Sequence, residues 1–361
     1  MGSEENKKVN TTTTSFGNKI FLGVGGAFVG TIFGYALQRG NVYLPSVIQG
    51  QMNFSNFTML KMFMTASLTS SLAVTFLNHR KLITIESLPV MYKRNLIGGL
   101  IMGSGIYLTG ACPGTVLAQV PEIKGTLFTL LGGVVGATFY GYIDKIINKL
   151  FPAKNDDKPT LYQKLNVSMA KVTIPFALML AGVLYTIESF FPWQSDSGVS
   201  PNTSILGSDS VWSPYRAGLT IGLLQIPTHL ISKGGLGCSS AYVTIGSKVC
   251  NAFSCTVDYF KKFNSGSKAY FGPLLNAGII FGAYLSSLSN PAPPLDAAGG
   301  SQTYLTHFLG GFILLIGARI ANGCTSGHGL NSMAKMELGS FIAVASLFGG
   351  GILTSFLLNR K

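Results

Sequence analysis

Residues 98–115 read GGLIMGSGIYLTGACPGT, and residues 310–327 read GGFILLIGARIANGCTSG. Laid over one another at an offset of 212, they match Gly98 with Gly310, Gly99 with Gly311, Gly105 with Gly317 and Cys112 with Cys324. Each is an apolar run ending in a glycine-rich break that carries one cysteine. A shorter match at an offset of 192 joins Gly26-x3-Gly30 to Gly218-x3-Gly222. The matches keep their order along the chain, so the sequence reads as two copies of one plan.

Composition says what the copies are made of. Only 11% of the 361 residues are charged, against about 25% in an ordinary soluble domain. Hydrophobic residues make 47%, mean hydropathy is +0.40, and there are 45 glycines. So few charges cannot coat soluble domains of this size, which excludes a typical cytosolic globular enzyme. The apolar content excludes disorder. The expectation is an all-α polytopic protein in a lipid bilayer, with glycine where helix backbones approach closely. The net charge of +13 then concerns topology and anion attraction, and nucleic acid is not an expected partner.

A membrane span needs about 20 mostly apolar residues. Nine windows qualify: 20–38, 57–78, 95–110, 126–143, 172–191, 214–231, 270–288, 303–321 and 338–358. Residues 1–18 are polar and read as a disordered tail, with no cleavable signal evident. Residues 19–150 form a first repeat of four spans, 151–213 a linker with the joining span, and 214–361 a second repeat of four. Lys and Arg divide unevenly between alternate loops. Nineteen fall on the side of the N-terminus, and four (Arg39, Lys124, Arg360, Lys361) on the other. The positive-inside rule therefore places the N-terminus in the cytoplasm and the C-terminus outside. Related spans lie five crossings apart, an odd number, so the two halves are inserted upside down relative to each other. Secondary transporters commonly have this plan, with the site near the midplane between repeats.

The cysteine breaks carry the chemistry. Cys112 is followed by Pro113, Gly114 and Thr115; Cys324 is followed by Thr325, Ser326 and, four residues on, His328. Pro113 suits a first helical position, where its missing N–H costs nothing, and Thr325, Ser326, Ser239 and Ser240 are helix-capping types. Broken helices are tolerated at membrane depth where they line a cavity. The N–H groups that start the following half-helix favour anions. By the assigned topology Cys112 enters from outside and Cys324 from inside, so two re-entrant turns can meet at one constriction. A thiol is soft and polarizable, which suits a soft sulfur-bearing anion better than a hard phosphate or chloride. Cys238, in Gly237-Cys238-Ser239, lacks a matching cysteine in the first half, and Cys250 and Cys255 read as incidental. Five cysteines without a CxxC suggest neither a disulfide framework nor a zinc ribbon.

Arg319 lies deep in the eighth window, a functional candidate with a structural ion pair or snorkelling as the bland alternative. Lys61 and Arg216 sit at outer window ends, as solvated residues or a positive vestibule. Glu188 and His229 have no evident partner. Cys324 and His328 could share a helical face toward a metal, but no third ligand lies nearby in sequence, so neither a metal nor a cofactor is expected.

The segments Gly110-Ala111-Cys112-Pro113-Gly114-Thr115 and Asn322-Gly323-Cys324-Thr325-Ser326-Gly327-His328 resemble the signature loops of the YeeE/YedE family of sulfur-compound transporters. The resemblance runs over nearly the whole chain after residue 18. It implies nine long spans plus about four short re-entrant helices in two inverted repeats, with thiosulfate passed along a line of cysteines. Cys112 and Cys324 match the pathway cysteines. Gly40-Asn41-Val42-Tyr43 lacks the further cysteine that members often carry after the first span. A plasma-membrane location and a cytoplasmic sulfur-carrier protein as partner are implied in the same way. Against a transporter of sulfur anions stand a membrane thiol redox or sulfurtransferase enzyme using Cys112 or Cys324 as nucleophile, and a metal-ion transporter using Cys324 and His328.

Overall fold

The computed structural model describes residues 16–85, 90–153, 158–252, 257–293 and 303–358. Among the described residues the chain is helical, with isolated bridges (Thr160 to Glu337, Gly207 to Trp212) and no strands. In order the helices are α1 (Phe16–Arg39), α2 (Pro45–Met52), α3 (Thr58–His79), α4 (Tyr92–Thr109), α5 (Thr115–Gln119), α6 (Thr126–Leu150), α7 (Leu161–Lys164), α8 (Met169–Phe190) and α9 (Trp193–Asp196). There follow α10 (Pro214–Leu223), α11 (Gln225–Ser232), α12 (Ser239–Ala252), α13 (Asp258–Lys261), α14 (Gly266–Ser287), α15 (Tyr304–Ile320), a π-helical turn (Ser326–Ser332) and α16 (Leu338–Leu358).

Each of the nine apolar windows coincides with a helix, the sixth with α10 and α11 in succession. Six of these helices (α1, α3, α6, α8, α14 and α16) are long and apolar enough to cross a membrane, so the chain is an integral membrane protein. Helix α1 begins at Phe16, within the stretch 1–18 expected as a tail; residues 1–15 lie outside the described residues, as do Cys255, Arg360 and Lys361.

Glycines decide which helices touch. Gly26, Gly30 and Gly34 bring α1 onto α14 so closely that a Cβ at any of them would overlap the carbonyls of Phe271, Leu275 or Ile279. Gly218 and Gly222 press α10 on the Met62 and Ala66 carbonyls of α3 in the same way. With little hydrophobic force between helices in lipid, such backbone contact supplies the packing. Helix α4 crosses α15 where Gly98 and Gly317 meet; α6 also packs on α15, and α16 on α4.

The outside of the bundle is apolar. Val24 and Phe28 on α1, Leu131 on α6, Leu178 and Tyr185 on α8 and Phe356 on α16 are all exposed, a distribution suited to lipid. Helix α8 is the most peripheral, packing mainly on α3. Lys61 of α3 is fully buried there, with its ammonium 3.0 Å from Glu188 and 3.4 Å from Asp196, and it donates to the Phe191 carbonyl. Lys61 is therefore neither solvated nor part of a vestibule, and Glu188, which also accepts from the Tyr215 hydroxyl at 2.6 Å, has the partner that local sequence could not show. The Arg216 guanidinium lies over the Trp212 ring.

Candidate functional site

Three thiols, Cys112, Cys238 and Cys324, are free, buried and part of one hydrophobic core. Each stands at the start of a short helix. The Cys112 carbonyl accepts the first helical bond, from the Val116 N–H at 2.9 Å, so Pro113 occupies the first turn, where its lack of an N–H costs nothing. Cys112 acts as a capping residue: its sulfur accepts from the Thr115 N–H at 3.4 Å, while the Thr115 hydroxyl accepts from the Cys112 N–H at 2.7 Å. That is the reciprocal pattern of a capping box, with sulfur in place of a hydroxyl. Cys324 likewise receives the His328 N–H on its carbonyl at 2.7 Å and opens the π-helical turn. Cys238 immediately precedes α12.

The thiols stand near one another. A Cβ built on Gly114 would lie 3.4 Å from the Cys238 sulfur and 3.9 Å from that of Cys112. Ser326 continues the line, its hydroxyl donating to the Cys238 sulfur at 3.7 Å and standing 3.3 Å from the Cys324 sulfur. The order is therefore Cys112, Gly114, Cys238, Ser326, Cys324. Cys238 takes the middle position, which nothing in its own half of the sequence signals. Gly327 also approaches the Cys324 sulfur, which a Cβ built there would meet at 3.8 Å. The Tyr242 hydroxyl donates to the Pro113 carbonyl at 2.8 Å, tying α12 to the first cysteine loop.

Arg319 is buried beside this line. Its guanidinium donates to the Tyr259 hydroxyl at 2.9 Å and to the Ser239 hydroxyl at 3.3 Å, and it faces the Phe263 ring. Among the described residues no carboxylate pairs with it, so the bland alternative of a structural ion pair does not hold. His328 is satisfied within the fold, one ring nitrogen 2.9 Å from the Ala321 carbonyl and the other 3.0 Å from the Ser340 hydroxyl. Among the described residues no cluster of three or more His, Cys, Asp or Glu could hold a metal, which leaves Cys324 and His328 without a third ligand.

Two cavities flank the cysteine line. One, of about 360 Å³, is a polar vestibule lined by Cys324, Arg319, His328, His229, Asn331, Lys233, Lys268 and Lys335, with Gly234 to Gly237 and Ser239. The other, of about 30 Å³, is a chamber walled by Phe33, Leu37, Met59, Met62, Phe63, Ile221 and Leu330, with Cys112, Gly114, Thr115, Thr325 and Ser326 at one end. The vestibule lysines and the chamber methionines went unread in the sequence because solvated lysines and core methionines carry no motif. Cys250, on α12, is disulfide-bonded and lines neither cavity.

A family model described as sulphur transport matches residues 39–353. Two curated proteins are similar along nearly their full length, both named thiosulfate transporter TsuA. One is from Escherichia coli, 24% identical over 349 residues and covering 92% of this chain and 94% of that protein. The other is from Spirochaeta thermophila, also 24% identical over 349 residues, covering 93% and 99%.

Proposed function

The chain belongs to the sulphur transport family, and on that premise we propose that it carries thiosulfate, or a closely related small sulfur anion, across the cell membrane through a constriction formed by Cys112, Cys238 and Cys324. The observation that carries the reading is the convergence of three thiols, each at the start of a short helix, beside a buried Arg319 that has no carboxylate partner among the described residues. The start of α12 supplies at most about half a positive charge, and with the Arg319 guanidinium it offsets most of the two negative charges of a thiosulfate ion. Thiols add polarizable contact for its terminal sulfur and undergo no net reaction. The names of the two TsuA relatives agree with this substrate.

The halves are proposed to be inverted repeats. Exchanging α1 with α10–α11, α3 with α14, α4 with α15 and α6 with α16 turns the α1–α14 contact into the α10–α3 contact, and α6–α15 into α16–α4. The α4–α15 crossing maps onto itself. That pairing supports nine crossings (α1, α3, α4, α6, α8, α10–α11, α14, α15 and α16) and four short helices (α2, α5, α12 and the π-helical turn) that dip part way. With the N-terminus cytoplasmic, the lysine-lined vestibule faces the cytoplasm and the apolar chamber faces outward. Anions leaving the vestibule would be received by a sulfur-carrier protein.

Uptake of labelled thiosulfate into proteoliposomes tests the reading. The wild-type protein should show saturable uptake that Cys112→Ala and Cys324→Ala each abolish at unchanged membrane abundance. Normal uptake by both variants would overturn it.

A further inference from the structure

We infer that the small chamber beside Cys112 is a selectivity site, which takes the sulfur end of the anion first and refuses anions that present only hard oxygens. This deepens the reading of the cysteine line and rests on it. At about 30 Å³ the chamber holds two or three water-sized groups, since a single water needs about 10–15 Å³. It therefore admits one end of a thiosulfate-sized ion, not the whole ion.

What that end meets is read from the hydrogen bonds already made. The Thr115 hydroxyl is committed to the Cys112 backbone, accepting from its N–H and donating to its carbonyl. The Ser326 hydroxyl is committed to the sulfurs of Cys238 and Cys324. Thr325 alone brings to the chamber a buried hydroxyl oxygen with no partner among the described residues. The other side chains lining the chamber with affinity for a solute are the Cys112 thiol and the Met59 and Met62 thioethers, all of them soft. An oxygen-only anion such as sulfate would shed its hydration here for a single side-chain hydroxyl, and an unmatched polar group in apolar surroundings is costly. A terminal sulfur is weakly hydrated, finds thioether and thiol contacts, and leaves the oxygens of the ion trailing in water.

The test uses the full-length protein in proteoliposomes. Met59→Leu and Met62→Leu keep the volume and remove the sulfur, a change cores usually tolerate. Together they should raise the KM for thiosulfate about three- to tenfold, the range expected for sulfur contacts. Thr325→Val should weaken uptake and Thr325→Ser should restore it. Met62→Gln, which lets water into the chamber, should make sulfate a stronger competitor. On the wild-type protein, selenosulfate should compete far better than sulfate. Unchanged KM and unchanged competition across these variants, or equal competition by sulfate and selenosulfate, overturns the selectivity site while leaving the cysteine line in place. Normal uptake by Cys112→Ala and Cys324→Ala instead removes the reading on which it rests.

Discussion

Gly114→Ala separates the passage from the fold. Gly114 has φ −85° and ψ −45°, a conformation that alanine adopts without strain. The added methyl would sit 3.4 Å from the Cys238 sulfur, 3.9 Å from the Cys112 sulfur and 3.9 Å from the Phe33 ring, all ordinary contact distances. Nothing has to move to admit it. Replacing Gly by Ala at such a position stabilises a protein by about 0.4–1 kcal/mol through the unfolded chain, so the thermal midpoint should hold or rise slightly. Transport should respond in the opposite direction. A methyl carbon in contact with both sulfurs occupies a place from which a solute atom could touch both, and thiosulfate uptake should fall below about a tenth of wild type. That is a barrier increase of more than about 1.4 kcal/mol. The assay is initial-rate uptake into proteoliposomes at matched protein abundance, with a thermal melt of the same preparation. Gly182→Ala on α8, where a Cβ meets nothing within 4 Å, serves as the silent control. Wild-type uptake by Gly114→Ala would refute a passage between these sulfurs, and a lowered midpoint would refute the packing argument.

Cys238→Ala should impair uptake as severely as Cys112→Ala despite the absence of a counterpart for Cys238 in the first half; growth on thiosulfate as sole sulfur source would show it. Arg319→Gln should raise the KM at least about tenfold, as expected when a charged hydrogen-bonding partner of about 1.5–3 kcal/mol is lost. Arg319→Lys should recover only part, because an ammonium lacks the fork that spans Tyr259 and Ser239. Neutralising Lys233, Lys268 and Lys335 together should weaken the dependence of transport on ionic strength, measured from 20 to 300 mM salt, since rim charges act through screened attraction. Lys61→Met should cost roughly 2–4 kcal/mol, below the usual ~3–5 for breaking a buried pair because Glu188 is 26% exposed. Adding Glu188→Gln should return part of that loss, followed by thermal melts in detergent.

Much of the architecture was legible along the chain because its determinants are local. A span announces itself by some twenty apolar residues, and the two cysteine breaks by glycine beside a thiol, so all nine windows fall on helices. The Gly26/Gly30 and Gly218/Gly222 spacings mark one helix face each, and those faces are the ones in contact with α14 and α3. Cys112 and Cys324 could be singled out by their repeat positions, and Arg319 by its depth.

What each residue meets was settled only by tertiary packing. Cys238 stands 126 residues from Cys112 in sequence, and no local pattern assigns it the place between Cys112 and Cys324. Lys61 looked like a solvated end residue because its partners, Glu188 and Asp196, come from the joining segment more than 120 residues away. The same holds for the Tyr259 and Ser239 partners of Arg319 and for the cavity that Met59 lines with Cys112. Apolarity and glycine spacing act within a turn or two of helix and can be read one window at a time. Charge balance and cavity lining depend on which faces are pressed together, and that is fixed by contacts between helices distant in sequence.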